Sequence, residues 1–329
     1  MTKFILRRLF LGIIIVFLGA MVVYGVIRCL PSSYVETIAR QRASLPGGKS
    51  YTQWLAQLNA VYRLDTDIFT GFIGWVGNVL KGEFGESWAY NMPVVDKFKD
   101  VIWYSVILNA ITLVVELSAC IPLGILAARK QYSVADYSVT VFALMGLSLP
   151  SFFLASLLKY VFSVKLHWIP DLYGIVGRYY EQLNSWGKFW DMAGHMILPV
   201  VTLSMLSIGS LMRYTRTNML EVLSADYIRT ARAKGLPEKA VINKHAFRNT
   251  LIPLVTYMSF LLPAMFGGSM ITETLFQIPG IGYISFKAML AGDIPFTMFY
   301  LVFLLLLTQI SLIVADIMYA VVDPRVRVN

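Results

Sequence analysis

Charged side chains are scarce in this sequence: they make up 14% of its 329 residues, against about 25% in an ordinary soluble domain. Its two cysteines are too few for a disulfide framework. Its three histidines are far apart along the chain, so no Cys/His cluster with the spacing of a metal site is present. The short alternating segments of a transmembrane β-barrel are also missing. These shortages exclude a soluble enzyme, a nucleic-acid-binding protein and a barrel.

What the sequence has instead is a set of long apolar tracts. Most of them contain no Asp, Glu, Lys or Arg, and two contain a single ionisable residue, Glu116 or Lys159. A helix of about 20 apolar residues is long enough to cross the hydrocarbon layer of a membrane. The sequence therefore predicts an all-α polytopic membrane protein with six transmembrane helices. The six tracts are Leu9–Ile27, Val101–Ala128, Tyr137–Val164, Met192–Met212, Asn249–Thr272 and Ile294–Ala315.

The net charge of +9 is explained by its distribution. Lys and Arg concentrate in the segments that would lie inside if the N-terminus is cytoplasmic, which is the bias that orients membrane proteins. Both termini and the loop 215–249 are therefore predicted to be cytoplasmic. The predicted regions are an N-terminal transmembrane helix (1–30), an extracytoplasmic loop (31–100), a transmembrane core (101–320) and a cytoplasmic tail (321–329).

The loop between the first two spans has the composition of a small helical cap. Its pattern predicts one helix over Tyr51–Leu64 and a second over Ile68–Leu80. Trp54 and Trp75 are the expected packing anchors of these helices.

Three residues in the apolar tracts are candidates for the translocation path: Glu116, Ser148 and Pro150. A charge at membrane depth is costly and normally faces a partner or a wet cavity, so Glu116 either lines a path or pairs with another helix. Ser148 lies in Gly146–Pro150 (GLSLP). That stretch has no partner histidine for a serine protease, and it predicts a kinked, closely packed helix.

The most informative segment is the predicted cytoplasmic loop 215–249. Ser224 is a plausible N-cap for a helix over Asp226–Lys234, in which Asp226 and Lys234 complement the helix dipole. Gly235 can adopt the left-handed conformation that ends a helix, and Pro237 with Glu238 suits the first turn of the next one. The pattern predicts a rigid, basic helix–turn–helix.

This segment resembles the signature loop of permease subunits in binding-protein-dependent ABC importers, and more narrowly of their oligopeptide/dipeptide/nickel branch. Arg229 and Thr230 stand where the general consensus of the family has Glu and Ala, and Pro31 begins a departure from its usual Pro-Gly-Asp-Pro. The resemblance covers nearly the whole chain in the following stretches: Gly82–Ser87 (GEFGES), Leu147–Phe152 (LSLPSF), Ile197–Pro199 (ILP), Asp226–Gly235 (DYIRTARAKG), His245–Pro253 (HAFRNTLIP), Phe276–Gly282 (FQIPGIG) and Asp316–Arg327 (DIMYAVVDPRVR).

The resemblance implies a type I ABC importer transmembrane fold in a prokaryotic cytoplasmic membrane. It implies four kinds of partner: a second homologous permease, two cytoplasmic ATPase subunits, an extracytoplasmic substrate-binding protein and the lipid bilayer. Such a chain is not an enzyme and holds no cofactor, because ATP and magnesium are bound by the ATPases. Peptides are the expected cargo, with nickel or another small solute as the alternative and an ion-coupled secondary transporter as the less favoured one. The implied contact to the ATPases is made by Asp226, Tyr227, Arg229, Ala231, Lys234, Gly235, His245, Arg248 and Pro253, with Ala231 facing the ATPase cleft.

Overall fold

The computed structural model describes residues 2–29, 32–44, 49–62, 66–169, 173–259 and 261–322, and these are nearly all helical. They contain one short antiparallel hairpin, β1 (Glu86–Ser87) with β2 (Met92–Pro93). Two π-helical segments, Tyr160–Lys165 and Val241–Ala246, continue α-helices. The α-helices are α1 (Thr2–Arg28), α2 (Ser32–Ala43), α3 (Tyr51–Tyr62), α4 (Ile68–Leu80), α5 (Val94–Arg129), α6 (Val134–Ser148), α7 (Ser151–Lys159), α8 (Ser185–Leu223), α9 (Asp226–Ala233), α10 (Glu238–Ala240), α11 (Phe247–Ser259), α12 (Leu262–Gly267), α13 (Met270–Phe276), α14 (Ile281–Leu290) and α15 (Ile294–Val322).

Within the described residues, four helices are long and apolar enough to cross a membrane. They are Leu6–Arg28, Val94–Arg129, Ser185–Leu223 and Ile294–Ile317. A fifth crossing can be built from the pair Val134–Ser148 and Ser151–Lys165, which is bent by 101°. The protein is therefore a mostly helical chain with several membrane-length apolar helices, as the composition predicts.

The predicted third span is a broken helix. Its bend falls at Leu149-Pro150, where Pro150 stands before α7 and has no amide hydrogen to continue the helical bonding of α6. The Ser148 hydroxyl donates to the carbonyl of Leu144, 2.8 Å away, on the last turn of α6. The kink predicted for Gly146–Pro150 is confirmed.

The fifth predicted span, Asn249–Thr272, is not one continuous helix. The tract is divided among α11, α12 and α13. Pro263 lies in the first turn of α12, a position that suits proline but interrupts a preceding helix. Gly268 follows α12 with a φ of 77°, which ends that helix. Apolar composition alone does not reveal these two interruptions.

The chain packs as two compact units. Unit 1 comprises Met1–Val101 and Ile284–Ile310, and unit 2 comprises Ile102–Tyr283 and Ser311–Asn329. The boundaries predicted from the sequence at residues 30, 100 and 320 stay predictions.

Unit 1 has a core in which Tyr24 of α1, Phe72 of α4 and Met298 of α15 are fully buried. The two helices predicted in the loop are present as α3 and α4, and Trp54 and Trp75 pack against this core as expected. These aromatic side chains bury large apolar areas, which stabilises the unit.

A buried aspartate joins the hairpin of unit 1 to the start of α15. Asp293 is fully buried, and one of its oxygens accepts hydrogen bonds from the Ser87 hydroxyl and from the amide of Ala89, the latter at 3.0 Å. The other oxygen accepts from the amide of Phe296 at 3.1 Å. Asp293 therefore satisfies an amide of the first turn of α15 and holds the hairpin against it.

In unit 2, α6 and α8 lie unusually close together because small residues separate them. A Cβ placed on Gly146 would approach the carbonyl oxygen of Met205 to 2.3 Å, and one on Gly209 would approach that of Ala143 to 2.5 Å. Small residues at helix contacts are the usual device for close packing of membrane helices. The close packing predicted for this stretch is confirmed.

Candidate functional site

The segment that follows α8 forms the predicted helix–turn–helix. The helix predicted over Asp226–Lys234 is observed as α9, with Asp226 in its first turn and Lys234 as its C-cap. The prediction that Ser224 caps this helix is wrong. Ser224 ends α8, where its hydroxyl donates to the carbonyl of Glu221 at 2.7 Å, and Ala225 occupies the N-cap position without a side-chain bond. Ser224 precedes the N-cap position of α9 by one residue, and its hydroxyl bonds to α8 instead.

Gly235 makes the bend between the two helices, as predicted. Its φ is 75°, its amide donates to the carbonyl of Arg232 at 2.9 Å, and the amide of Leu236 reaches the carbonyl of Ala231 at 3.4 Å. A left-handed residue in this position is the usual end of an α-helix. Because a Cβ added at Gly235 would meet no atom within 4 Å, its requirement for glycine is conformational and not steric.

The second helix begins where the sequence places it. Pro237 is the N-cap of α10, and Glu238 is its first residue. The chain then continues through the π-helical segment Val241–Ala246 into α11.

The inner face of the segment is a small apolar cluster. Ile228 and Ala231, three residues apart on one side of α9, pack with Val241, Ile242 and Ala246 of the following segment and with Met219 of α8. Residues at this spacing share a face of a helix. Ala231 is only 6% exposed, so the prediction that it faces outward into a partner's cleft is wrong, because the apolar cluster holds it inside.

An ion pair closes the bend on the outer side. The guanidinium of Arg232 donates to both carboxylate oxygens of Glu238, at 2.8 and 3.2 Å. These hydrogen bonds lower the pKa of Glu238, and the positive charge of Arg129 lowers it further. Bidentate pairing fixes geometry as well as charge, so the pair holds α9 and α10 at one angle.

The exposed residues of α9 and of the turn after it form a surface that we call the outer face. Tyr227 and Leu236 are its large apolar members, at 47% and 39% exposure. Asp226 and Arg229 form an exposed ion pair of 3.6 Å, and such a pair contributes little stability. The outer face contains Asp226, Tyr227, Arg229, Thr230, Arg232, Ala233, Lys234, Gly235 and Leu236.

The remaining candidate residues of this segment lie beyond the outer face. His245 is half-buried in the π-helical segment, and Arg248 is exposed at the start of α11. Pro253 lies inside α11, where its carbonyl accepts a hydrogen bond from the Tyr214 hydroxyl at 3.3 Å. The fold therefore exposes the residues of Asp226–Gly235 other than Ile228 and Ala231 and gives Pro253 a structural contact with α8.

The three candidate path residues differ in their surroundings. Glu116 is 5% exposed within α5, beside Ser207 of α8, and one of its carboxylate oxygens has no hydrogen-bond partner among the described residues. Ser148 is exposed and bonds to its own helix, and Pro150 marks the bend before α7. Of the three, Glu116 alone is a buried charge that lacks a full set of partners.

Sequence reasoning missed a second buried carboxylate, Glu273 of α13. One of its oxygens accepts from the Ser105 hydroxyl at 2.7 Å and from the Ser269 amide at 2.9 Å, and the other accepts from the Tyr283 amide at 3.0 Å. A Cβ on Gly280 would come within 2.5 Å of this carboxylate. An acidic residue three positions before the motif Phe276–Gly282 is the signal that could have revealed it.

Comparison with known proteins gives a consistent result. Residues 120–328 match the family model described as "Binding-protein-dependent transport system inner membrane component". The chain is 32% identical over 328 residues to the oligopeptide transport system permease protein AppB of Bacillus subtilis, a match covering 99% of this chain and 100% of the relative. It is 33% identical over 330 residues to OppB of Salmonella typhimurium, covering 99% and 100%. It is 32% identical over 348 residues to the dipeptide permease DppB of Escherichia coli, covering 99% of both chains.

Proposed function

The chain belongs to the family of binding-protein-dependent transport system inner membrane components, and from this premise we propose that it is the permease subunit of an ATP-driven peptide importer. The observation that carries the proposal is the full-length similarity to permeases of oligopeptide and dipeptide transport systems. In this role the chain forms half of the translocation path for peptides delivered by an external binding protein.

The proposal divides the work among several proteins. A second homologous permease completes the path, two cytoplasmic ATPase subunits bind and hydrolyse ATP with magnesium, and the binding protein supplies the peptide. In this division of work the permease chain itself catalyses no reaction. It switches between inward-open and outward-open states, which ATP and the loaded binding protein stabilise differently.

The segment Asp226–Asn249 is the proposed contact to an ATPase subunit. Three features of unit 2 support this role: the apolar cluster beneath α9, the left-handed bend at Gly235 and the Arg232–Glu238 pair. Together they give the segment a fixed conformation. Its outer face exposes the apolar side chains of Tyr227 and Leu236 beside basic residues such as Arg229 and Lys234.

We propose six membrane crossings with both termini in the cytoplasm of a prokaryotic cell. The third crossing is the bent pair α6 and α7, and the fifth is divided among α11 to α13. The charge distribution supports this orientation. A cysteine placed at position 239 should react only with a reagent supplied from the cytoplasmic side, and one at position 60 only with a reagent supplied from outside. A reversed pattern would contradict the orientation.

Glu116 is the residue we propose to take part in transport, either in the path or as an interhelical partner. Its buried carboxylate with one unbonded oxygen supports the proposal, because such a group is costly unless a state of the protein gives it a partner. Ser148 and Pro150 contribute the bend between α6 and α7, at which a helix can change direction during the cycle.

The direct test is uptake by the reconstituted importer. The two permeases, the ATPases and the binding protein are placed in proteoliposomes, and entry of a radiolabelled peptide is followed with ATP inside. We expect uptake that needs ATP, the binding protein and this chain together. ATP-dependent uptake of nickel without peptide uptake would favour the alternative cargo, and uptake driven by an ion gradient without ATP would contradict the proposal.

A further inference from the structure

Unit 2 contains a cavity to which the proposed function assigns no role. It has a volume of about 320 Å³ and lies between α6 and α8. One end is lined by Tyr132, Tyr137 and Arg213, and the other by Leu144 and Leu147. From the first turn of α6 to Leu147 the lining extends roughly 16 Å along the helix, at about 1.5 Å per residue. The cavity is therefore a groove with a polar, cationic end and an apolar end.

The charge at the polar end comes from Arg213. The neighbouring Asp136 is occupied, since its two oxygens accept from Nε and Nη2 of Arg216, both at 2.8 Å, and one of them also accepts from the amide of Tyr132 at 3.0 Å. Asp136 and Arg216 thus neutralise one another. Arg213 is exposed and has no acidic partner among the residues that the structure describes. It gives the groove one uncompensated positive charge.

The apolar end is open as well. Leu144 and Leu147 are 46% and 42% exposed on α6, and Tyr137, which lines the polar end, is 59% exposed. Aromatic side chains with a polar tip concentrate at the boundary between hydrocarbon and water. The order along the groove is therefore that of a membrane boundary, with the tyrosines and Arg213 of α8 first and the leucines of α6 deeper.

We propose that this groove binds one anionic phospholipid of the inner leaflet. Its phosphate lies against Arg213, the hydroxyls of Tyr132 and Tyr137 donate to the headgroup, and an acyl chain follows Leu144 and Leu147. A guanidinium is well suited to a phosphate, and basic pockets between membrane helices on the cytoplasmic side are suited to anionic headgroups. The inference rests on the proposed membrane orientation, which puts the start of α6 at the cytoplasmic boundary.

Charge decides between this occupant and a helix of the second permease. An apolar helix laid over the groove would bury Arg213 without a partner, which is strongly unfavourable unless that helix brings a carboxylate. A lipid phosphate supplies the missing negative charge itself. A zwitterionic lipid supplies it together with a cation, so it should bind less well.

The test uses the complete importer complex, purified in a mild detergent. Native mass spectrometry measures how much phosphatidylglycerol or phosphatidylcholine the complex retains when each is titrated in. Arg213→Gln removes the proposed phosphate ligand. The control is Arg178→Gln, which alters another exposed arginine, in the loop before α8. We expect Arg213→Gln to weaken phosphatidylglycerol retention about five-fold, the factor that one basic residue near an anionic membrane surface supplies. The control and the phosphatidylcholine titrations should be unchanged.

A second variant tests the apolar end without altering any charge. Leu144→Trp fills the groove from an exposed position, so it should fold and yet also weaken phosphatidylglycerol retention. Equal retention by the parent and both variants would overturn the proposal. Displacement by inorganic phosphate as effective as by the lipid would show that the groove holds a free anion and no lipid. Loss of the second permease from Arg213→Gln preparations would show that a subunit covers the groove.

The lipid site and the proposed function can fail separately. Peptide uptake is measured on the same preparations, but retention of phosphatidylglycerol does not require it. A complex that retains the lipid through Arg213 and imports no peptide would contradict the function and leave the lipid site standing. A complex that imports peptide with unchanged lipid retention in Arg213→Gln would do the reverse.

Discussion

Ala231 and Ala233 are a natural pair for testing the segment after α8. They lie two residues apart in α9, but Ala231 is 6% exposed inside the apolar cluster and Ala233 is on the outer face. Replacing each by glutamate adds the same charge and the same volume. The two variants therefore differ in burial alone.

The expected magnitudes follow from that difference. Ala231→Glu puts a carboxylate without a partner among Ile228, Val241 and Ala246, and an uncompensated buried charge costs about 3–5 kcal/mol. Ala233→Glu changes a solvent-exposed position, where substitutions usually alter stability by less than about 0.5 kcal/mol. Only Ala231→Glu should loosen the cluster, whereas both should weaken ATPase binding, the second because it places bulk and charge on the docking surface.

Hydrogen exchange and co-purification separate these effects. We expect faster amide exchange over residues 228–246 in Ala231→Glu, native exchange in Ala233→Glu, and less ATPase bound to both. Lys239→Ala, which removes one exposed charge outside the outer face, should leave both measurements unchanged. The reasoning would be refuted if Ala231→Glu kept native exchange and normal ATPase binding while importing peptide at the parent rate.

Three further predictions concern neighbouring contacts. Gly235→Val should lower stability by about 1–2 kcal/mol, because a β-branched residue would have to adopt the left-handed conformation, and it should change the angle at which α10 leaves the bend. Gly235→Asn tolerates that conformation, so in uptake assays it should import peptide near the parent rate while Gly235→Val should not. The pKa of Glu238 is lowered in the folded protein, so the contribution of its pair with Arg232 is complete above the ordinary glutamate pKa of 4.5 and is lost as pH falls through the lowered value. Hydrogen exchange of the Gly235 amide, taken relative to its intrinsic rate at each pH, should accelerate only below about pH 4.5, and Arg232→Gln should remove this dependence. Glu273→Gln places an amide NH₂ group opposite backbone donors and should destabilise the purified protein by about 1–3 kcal/mol. The measurement is the thermal unfolding temperature, which should fall in this variant. It should not fall in the control Gln277→Glu, which changes an exposed residue at the end of α13.

The features predicted correctly from the sequence are those specified by adjacent residues. Gly235 ends α9 and Pro150 breaks the third span because each acts through its own backbone. The helix over Ile68–Leu80 is found with the predicted bounds, since Asp67 caps it locally with a hydrogen bond to the Thr70 amide at 2.8 Å. Signals of this kind do not depend on the rest of the fold.

The features that the sequence did not reveal depend on residues far apart in the chain. Glu273 is held by Ser105 of α5, a contact that no local pattern contains. Ala231 is the exception. Ile228, an apolar residue three positions earlier in α9, marks the buried face of the helix, so this spacing alone predicts that Ala231 is buried. The family resemblance led instead to the expectation that Ala231 faces a partner. The fifth apolar tract has the composition of a span, and its interruption at Gly268 reflects the close approach of Ile281 and Gly282.

The most direct test of the central proposal is a cross-link between the outer face and an ATPase subunit in membrane vesicles. Single cysteines at positions 227, 231 and 233 are introduced into a cysteine-free chain, and a short bifunctional reagent is added to the assembled importer. We expect cross-links to the ATPase from positions 227 and 233 and none from position 231, with the yield changing when ATP is bound. Absence of any cross-link from the outer face, or labelling of position 233 by a reagent confined to the extracytoplasmic side, would contradict the proposal that this segment couples the permease to its ATPase.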